Sequence, residues 1–286
     1  GLVMTTFLNP GDEVLIPDPA YLAYPACVSI AHGVPVLVPT YAKDEFRLTV
    51  EELEKKVTPK TKAILIGYPN NPTGTIMDRA SLEKVAAFAK AHDLIVIADE
   101  IYCDLTYEGQ HTCFASLPDM QERTIVLNGF SKSYAMTGLR IGYICAPREA
   151  LEEIYKVHQY EILCASATSQ YGAIEALRSC DDDVKAMFEE YAARREMIYQ
   201  GLVDMGLTVF KPKGAFYIFP DISCTGMDEE EFCDRLLTEE KVGVVPGTCF
   251  GPQGKNHIRI SYAASRENIA EALKRMARFV KKYKKA

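Results

Sequence analysis

The stretch Leu94-Ile95-Val96-Ile97-Ala98-Asp99-Glu100-Ile101-Tyr102 sets five apolar residues directly before two acids. An apolar run this short, with neither helical nor alternating period, suits a strand covered on both faces. Similar runs recur at residues 14–16, 34–38, 63–66, 124–127 and 141–145. Between them lie helical patterns, the clearest over residues 78–92, where Leu82, Val85, Ala86 and Ala89 fall on one stripe. Alternating strands and amphipathic helices predict an α/β fold, a mostly parallel sheet with helices on both faces. Ligands of such sheets sit beyond the carboxyl ends of the strands, so chemistry is sought just after each run.

The second half of the chain changes character. Residues 150–205 read as helix almost throughout, and 184–205 is long enough to bridge two domains. Short strand signals at 215–219, 242–245 and 257–262 then interleave with helices at 228–240 and 266–282. These predict a smaller C-terminal α+β domain, giving a division into residues 1–182 and 183–286. Residues 1–8 read as the tail of a helix, too short and too uncharged at the start for a signal peptide.

Composition narrows the classes of function. With 48% hydrophobic and 25% charged residues in a chain of 286, a disordered or fibrous protein is excluded. No apolar run approaches the ~20 residues of a bilayer-spanning helix. A net charge of -7 offers no broad basic surface for nucleic acid or anionic membrane. The basic tail Lys281-Lys282-Tyr283-Lys284-Lys285 reads as a solvated helix end favoured by the macrodipole. Nine scattered cysteines without a Cys-x-x-Cys pair fit neither a disulfide framework nor a zinc site, and point to reduced cytoplasm. Five dispersed histidines offer no obvious ligand set for a metal.

Three strand ends carry candidate chemistry. In Gly67-Tyr68-Pro69-Asn70-Asn71-Pro72-Thr73-Gly74, two prolines and a glycine make a rigid turn able to hold the Asn71 amide in one orientation. The same turn also reads as a plain strand-to-helix connection capped by Thr73 or Asp78. Asp99, ending a buried strand, requires a cation or a donor. Magnesium-nucleotide and dinucleotide sites share that placement, but neither phosphate-loop motif occurs in the chain. In Asn128-Gly129-Phe130-Ser131-Lys132-Ser133-Tyr134-Ala135-Met136-Thr137-Gly138-Leu139-Arg140, Lys132 follows a buried strand among small and apolar residues. Its ammonium is destabilised there, the condition for a Schiff base, unless the side chain snorkels to solvent. Arg140 opens the next buried run and suits an oxyanion such as phosphate.

In order and combination, the Asn-Pro-x-Gly turn, the strand-end Asp with Tyr three residues on, and the Ser-Lys with Arg eight residues beyond resemble the fold-type I aminotransferases dependent on pyridoxal 5'-phosphate. The wording around Lys132 is similar to the aspartate and aromatic enzymes of the class I/II group, and the resemblance runs from Leu8 to the end of the chain. It implies that Lys132 carries the Schiff base and shuttles the Cα proton. Asp99 would hold the pyridine nitrogen protonated. Asn71 and Tyr102 would bond the ring's phenolic oxygen, with Arg140 on the phosphate and Ser131 or a backbone amide beside it. That last role arises because some relatives have a serine where this chain has Gly129. Tyr21 matches the aromatic stacked on the ring, with loop packing as its alternative. Arg259, on the polar face of the 257–262 strand, matches the arginine for the substrate α-carboxylate, with a surface salt bridge as its alternative. Asn71 would also contact substrate.

The activity implied is transfer of an amino group from an amino acid to a 2-oxo acid, in a cytoplasmic homodimer. A β-elimination lyase on the same scaffold and a non-catalytic fragment are the alternatives. The resemblance further implies cis peptide bonds before Pro19 and Pro72. It also implies roughly another quarter of the family's length before Gly1, with a Gly/Ser turn that cradles phosphate at a helix N-terminus. The 286 residues are therefore expected to be an incomplete record of a longer enzyme, or a fragment inactive alone.

Overall fold

The computed structural model describes residues 1–284; Lys285, the last lysine of the basic tail, lies outside the described residues. Six strands form the larger sheet: β1 (Glu13–Asp18), β2 (Val34–Pro39), β3 (Thr61–Gly67), β4 (Ile95–Asp99), β5 (Thr124–Gly129) and β6 (Gly142–Cys145). Their order is β2-β1-β3-β4-β5-β6, all pairs parallel except β5 with β6. The expected mostly parallel α/β sheet is present.

Alternation along the strands builds two cores, because successive side chains leave opposite faces. Leu15, Ile64, Ile66, Val96 and Ala98 point to one side. There they meet Leu82, Val85 and Phe88 of a helix that follows β3, α4 (Arg79–Ala91). Asp78 caps that helix by accepting from Ser81 N at 2.7 Å, as the strand-to-helix alternative anticipated. Val14, Ile16, Ala63, Leu65 and Ile97 point to the other side. They pack on α1 (Leu2–Phe7), α2 (Ala23–Ile30) and α5 (Arg148–Glu161), through Val3, Met4, Val28 and Ile154. The short helix α3 (Val50–Glu54) contributes Leu53 to the first core.

Two strands depart from the expectation of burial on both faces. β6 is largely exposed and β2 only partly buried, since they are the two edges of the sheet and each lacks cover on one side. Arg140 accordingly leads into an exposed antiparallel edge strand and not into a buried run.

Helices α6 (Ala167–Ser179) and α7 (Asp181–Asp204) follow, and α7 supplies Ile198 and Leu202 to a separate core. That core holds Phe232 and Leu236 of α8 (Glu229–Glu240) and Ile269, Met276 and Phe279 of α9 (Arg266–Tyr283). Its sheet is β7 (Tyr217–Ile218), β9 (Ile258–Ser261) and β8 (Val245–Pro246), in the order β7-β9-β8 and antiparallel throughout. The strand expected over 242–245 is thus shorter and displaced to Val245–Pro246. Only those residues pair with β9, Val245 with Arg259 and Pro246 with Ile258. Tyr102 and Leu105, which follow β4, are buried in this third core and join it to the larger sheet.

Candidate active site

The larger sheet's strands end at one side, and the chain leaving β1, β3, β4 and β5 there converges with β9 of the smaller sheet. Between them lies a cavity of about 590 Å³. Tyr21, Asn71, Asp99, Tyr102, Ser131, Lys132, Arg140 and Arg259 all line it. The structure thus brings together every site residue expected from the sequence, although they span 239 positions of chain (259 − 21 + 1).

Each segment is held by local bonds. The turn after β3 is tied by Asn70, whose side-chain oxygen accepts from the Thr73 amide at 3.2 Å and its hydroxyl at 2.8 Å. Asn70 therefore does the folding and leaves Asn71 to face the cavity. Gly74, at φ 73°, closes the turn where a Cβ would sit 2.8 Å from the Tyr217 carbonyl oxygen. The peptide bonds before Pro19 and Pro72 are cis, as expected, and so is the one before Pro69.

At the end of β4, Asp99 accepts from the Tyr24 hydroxyl at 2.8 Å and from the Ile101 amide at 3.2 Å. Burial raises the Asp99 carboxyl, and these two donors counter it. Desolvation and the facing carboxylate lift the Tyr24 phenol far above its ordinary value, so it stays protonated as the donor.

Lys132 lies after β5 with its Nζ 5.8 Å from the Phe216 ring centre and 6.0 Å from that of Tyr102. Burial lowers its ammonium most, the Arg140 and Arg259 guanidinium groups lower it further, and Asp99 opposes them. The hydroxyls of Tyr102 and Tyr217 share a 2.9 Å hydrogen bond. Arg259 donates from Nη1 to Asn71 Oδ1 at 3.0 Å, its guanidinium 4.6 Å from the Tyr217 ring and 4.7 Å from the Phe250 ring. Its buried Nε has no hydrogen-bond partner among the described residues. A surface salt bridge does not describe it.

Arg140 is exposed at φ 49° and donates from Nη1 to the Thr137 carbonyl at 2.9 Å. Thr137 in turn donates to the Ser131 carbonyl at 2.8 Å, so Ser131 and Arg140 share one turn. Gly129 pairs with Gly142 across β5 and β6, and a Cβ on it would lie 2.8 Å from Gly142 Cα. A serine side chain has no room there, and the aliphatic hydroxyl residues lining the cavity with Arg140 are Ser131 and Thr137.

Tyr24 and Tyr217 also line the cavity and were missed from the sequence. Tyr24 had a signal in Gly67, a glycine inside a buried strand, which marks a close approach. Tyr217 had none, because the 215–219 run reads simply as core.

The sequence profile described as Aminotransferase class I and II matches residues 1–276. The chain belongs to the class I and II aminotransferases. It is 46% identical over 284 residues to aromatic-amino-acid aminotransferase 2 of Thermococcus litoralis, covering 98% of this chain and 73% of that protein. To an aspartate aminotransferase of Pyrococcus abyssi it is 47% identical over 284 residues, with the same shares of 98% and 73%. The crystal structure of the aromatic aminotransferase from Pyrococcus horikoshii superposes with a TM-score of 0.96 at 46% identity, over 98% of this chain and 76% of that one. The function is amino-group transfer, which stands over the β-elimination and non-catalytic alternatives.

Proposed function

We propose that the cavity binds pyridoxal 5'-phosphate and serves ping-pong transfer of an amino group between an amino acid and a 2-oxo acid. The observation that carries this is the meeting of a destabilised ammonium, a desolvated carboxylate and a half-satisfied guanidinium in one cavity of about 590 Å³. The residues fit that cofactor chemically. Asp99 is a half-buried, desolvated carboxylate whose hydrogen bonds among the described residues come from neutral donors, and a protonated ring nitrogen relieves it. When bound, the cofactor supplies an exchangeable carbonyl and an electron sink.

The chain's own groups do the rest. Lys132, with its ammonium destabilised, holds the cofactor covalently and moves the proton at the substrate Cα. Asn71 and Tyr102 bond the ring's phenolic oxygen; the Asn71 amide nitrogen is free for this because its oxygen is taken by Arg259. Arg140 and Ser131 hold the phosphate, and Tyr21 supplies an aromatic face to the ring. Arg259, clamped between two rings, binds the α-carboxylate common to amino and oxo acids, with Asn71 beside it. Similar likeness to an aromatic and an aspartate enzyme, 46% and 47% identity, supports a role at this shared end of the substrate.

The division between the two sheets' domains falls near Asp182, at the start of α7. A homodimer is supported by the exposed apolar face of α5 and α6, where Tyr160 is 92% and Tyr171 75% exposed, with Leu163 between the helices at 78%. A cytoplasmic setting is supported by nine free cysteines. No helix among the described residues is long and apolar enough to cross a membrane.

Borohydride reduction of the cofactor-loaded protein followed by peptide mapping tests the assignment. The covalent adduct is expected on Lys132, and an adduct on any other lysine overturns it.

A further inference from the structure

Strand β1 ends at Asp18, three residues before Tyr21. The Asp18 side chain is 3% exposed, and among the described residues it has no ion-pair partner. Both of its oxygens lie 3.3 Å from the backbone nitrogen of Gln253, which donates to them. The Asp18 carbonyl accepts from the Thr40 amide at 2.9 Å and the Thr40 hydroxyl at 2.8 Å, which anchors this residue to the end of β2. Gly251 presses on the same carboxylate: a Cβ there would overlap Oδ1 and sit 2.8 Å from Cγ. Only glycine lets the 251–254 turn close over Asp18. Two residues after Asp18, the Ala20 amide donates to the Phe250 carbonyl at 2.9 Å.

The turn held in this way carries Phe250, one of the two rings that clamp Arg259. Phe250 is buried against Phe219, which packs edge-on to Phe46 of the larger part. A buried carboxylate without a cation is costly, and burial lifts this one to about 6. Stability alone would favour a neutral side chain here. What the carboxylate provides is a pair of acceptors aimed at a turn from the other part of the molecule.

We propose that Asp18 is a positioning residue for substrate binding. By clasping the turn at Gly251 and Gln253 it holds Phe250 against Arg259, and so keeps the guanidinium aimed at the substrate α-carboxylate. The inference rests on the reading of Arg259 as the α-carboxylate site.

The test compares Asp18→Ala, Asp18→Asn, Phe250→Leu and Arg259→Lys in the cofactor-loaded protein. Steady-state kinetics are measured with an amino donor and 2-oxoglutarate, alongside calorimetric binding of 2-oxoglutarate. Asp18→Ala is expected to raise KM and Kd about tenfold, with kcat and the absorption of bound cofactor nearly unchanged. Asp18→Asn, whose amide oxygen still accepts from Gln253, recovers most of that affinity. Adding Asp18→Ala to Phe250→Leu costs little more, since both act through one ring. Should Asp18→Ala fail to fold, Gln253→Pro deletes the donor while keeping Asp18, and the same KM rise is expected. A folded Asp18→Ala or Gln253→Pro protein with unchanged KM overturns the proposal, as does full additivity with Phe250→Leu. Arg259→Lys separates the two ideas: an unchanged KM there refutes the Arg259 reading itself. A raised KM there with an unchanged KM in Asp18→Ala refutes the clasp alone.

Discussion

The Tyr24 hydroxyl reaches the Asp99 carboxylate at 2.8 Å by passing over strand β3 at Gly67, where a Cβ would stand 2.5 Å from the phenolic oxygen. Gly67 is the register partner of Asp99, so the missing side chain opens a direct path from α2 to the end of β4.

Tyr24→Phe removes a donor that lowers the Asp99 carboxyl, leaving the carboxylate less able to sustain a cation opposite it. We expect kcat to fall about tenfold, with the covalent link at Lys132 intact. Equal kcat in variant and wild type, by single-turnover amine transfer, would show that Ile101 alone suffices.

Gly67→Ala forces either the Tyr24 ring or strand β3 to move. A cost of about 1–3 kcal/mol is expected in denaturant unfolding, together with the kcat loss of Tyr24→Phe. In the Tyr24→Phe background the same alanine should cost less, because the hydroxyl it strikes is gone. A double-mutant cycle checks this.

Lys132 is lowered by burial and by the Arg140 and Arg259 cations. Arg259→Met removes one of those cations, so the ammonium holds its proton to higher pH. In cofactor-free protein, the pH midpoint for acylation of Lys132 should move upward. Asp99→Asn removes the opposing anion and should move it downward. The two shifts having the same sign would refute this electrostatic picture.

The Asp18 carboxyl stands at about 6 in the fold against 3.8 as its ordinary value. The folded state therefore holds the extra proton between those values. The stability linked to it is full below about 3.8 and is lost as pH rises through about 6. Asp18→Asn escapes that loss. Its stability relative to the native protein should improve by on the order of 2 kcal/mol between pH 4.5 and pH 8, read from urea unfolding at each pH.

The strands were legible because each must present apolar atoms to two covered faces, and Leu94-Ile95-Val96-Ile97-Ala98 can do little else. Three of the cavity-lining residues were legible for a related reason. Asn71, Asp99 and Lys132 sit where buried strands of a parallel sheet release the chain, and polar side chains there must answer to a ligand or a partner. Edge strands escaped this reading, since composition does not say which strands lack a neighbour: β6 carries Gly142-Tyr143-Ile144-Cys145 and is nonetheless largely exposed. The sequence by itself therefore determined the kind of sheet, through local periodicity, and marked Asn71, Asp99 and Lys132 as strand-end polar groups, through the cost of burying charge; Tyr21, Tyr102 and Arg259 were reached only through the family resemblance. The tertiary structure alone decided which groups hold them. Tyr24 meets Asp99 across 75 positions and Asp18 meets Gln253 across 235, distances over which a single chain carries no periodic signal. Such contacts exist only once the sheet order and the seating of β9 bring the segments together, and the glycines at 67 and 251 are their only local trace.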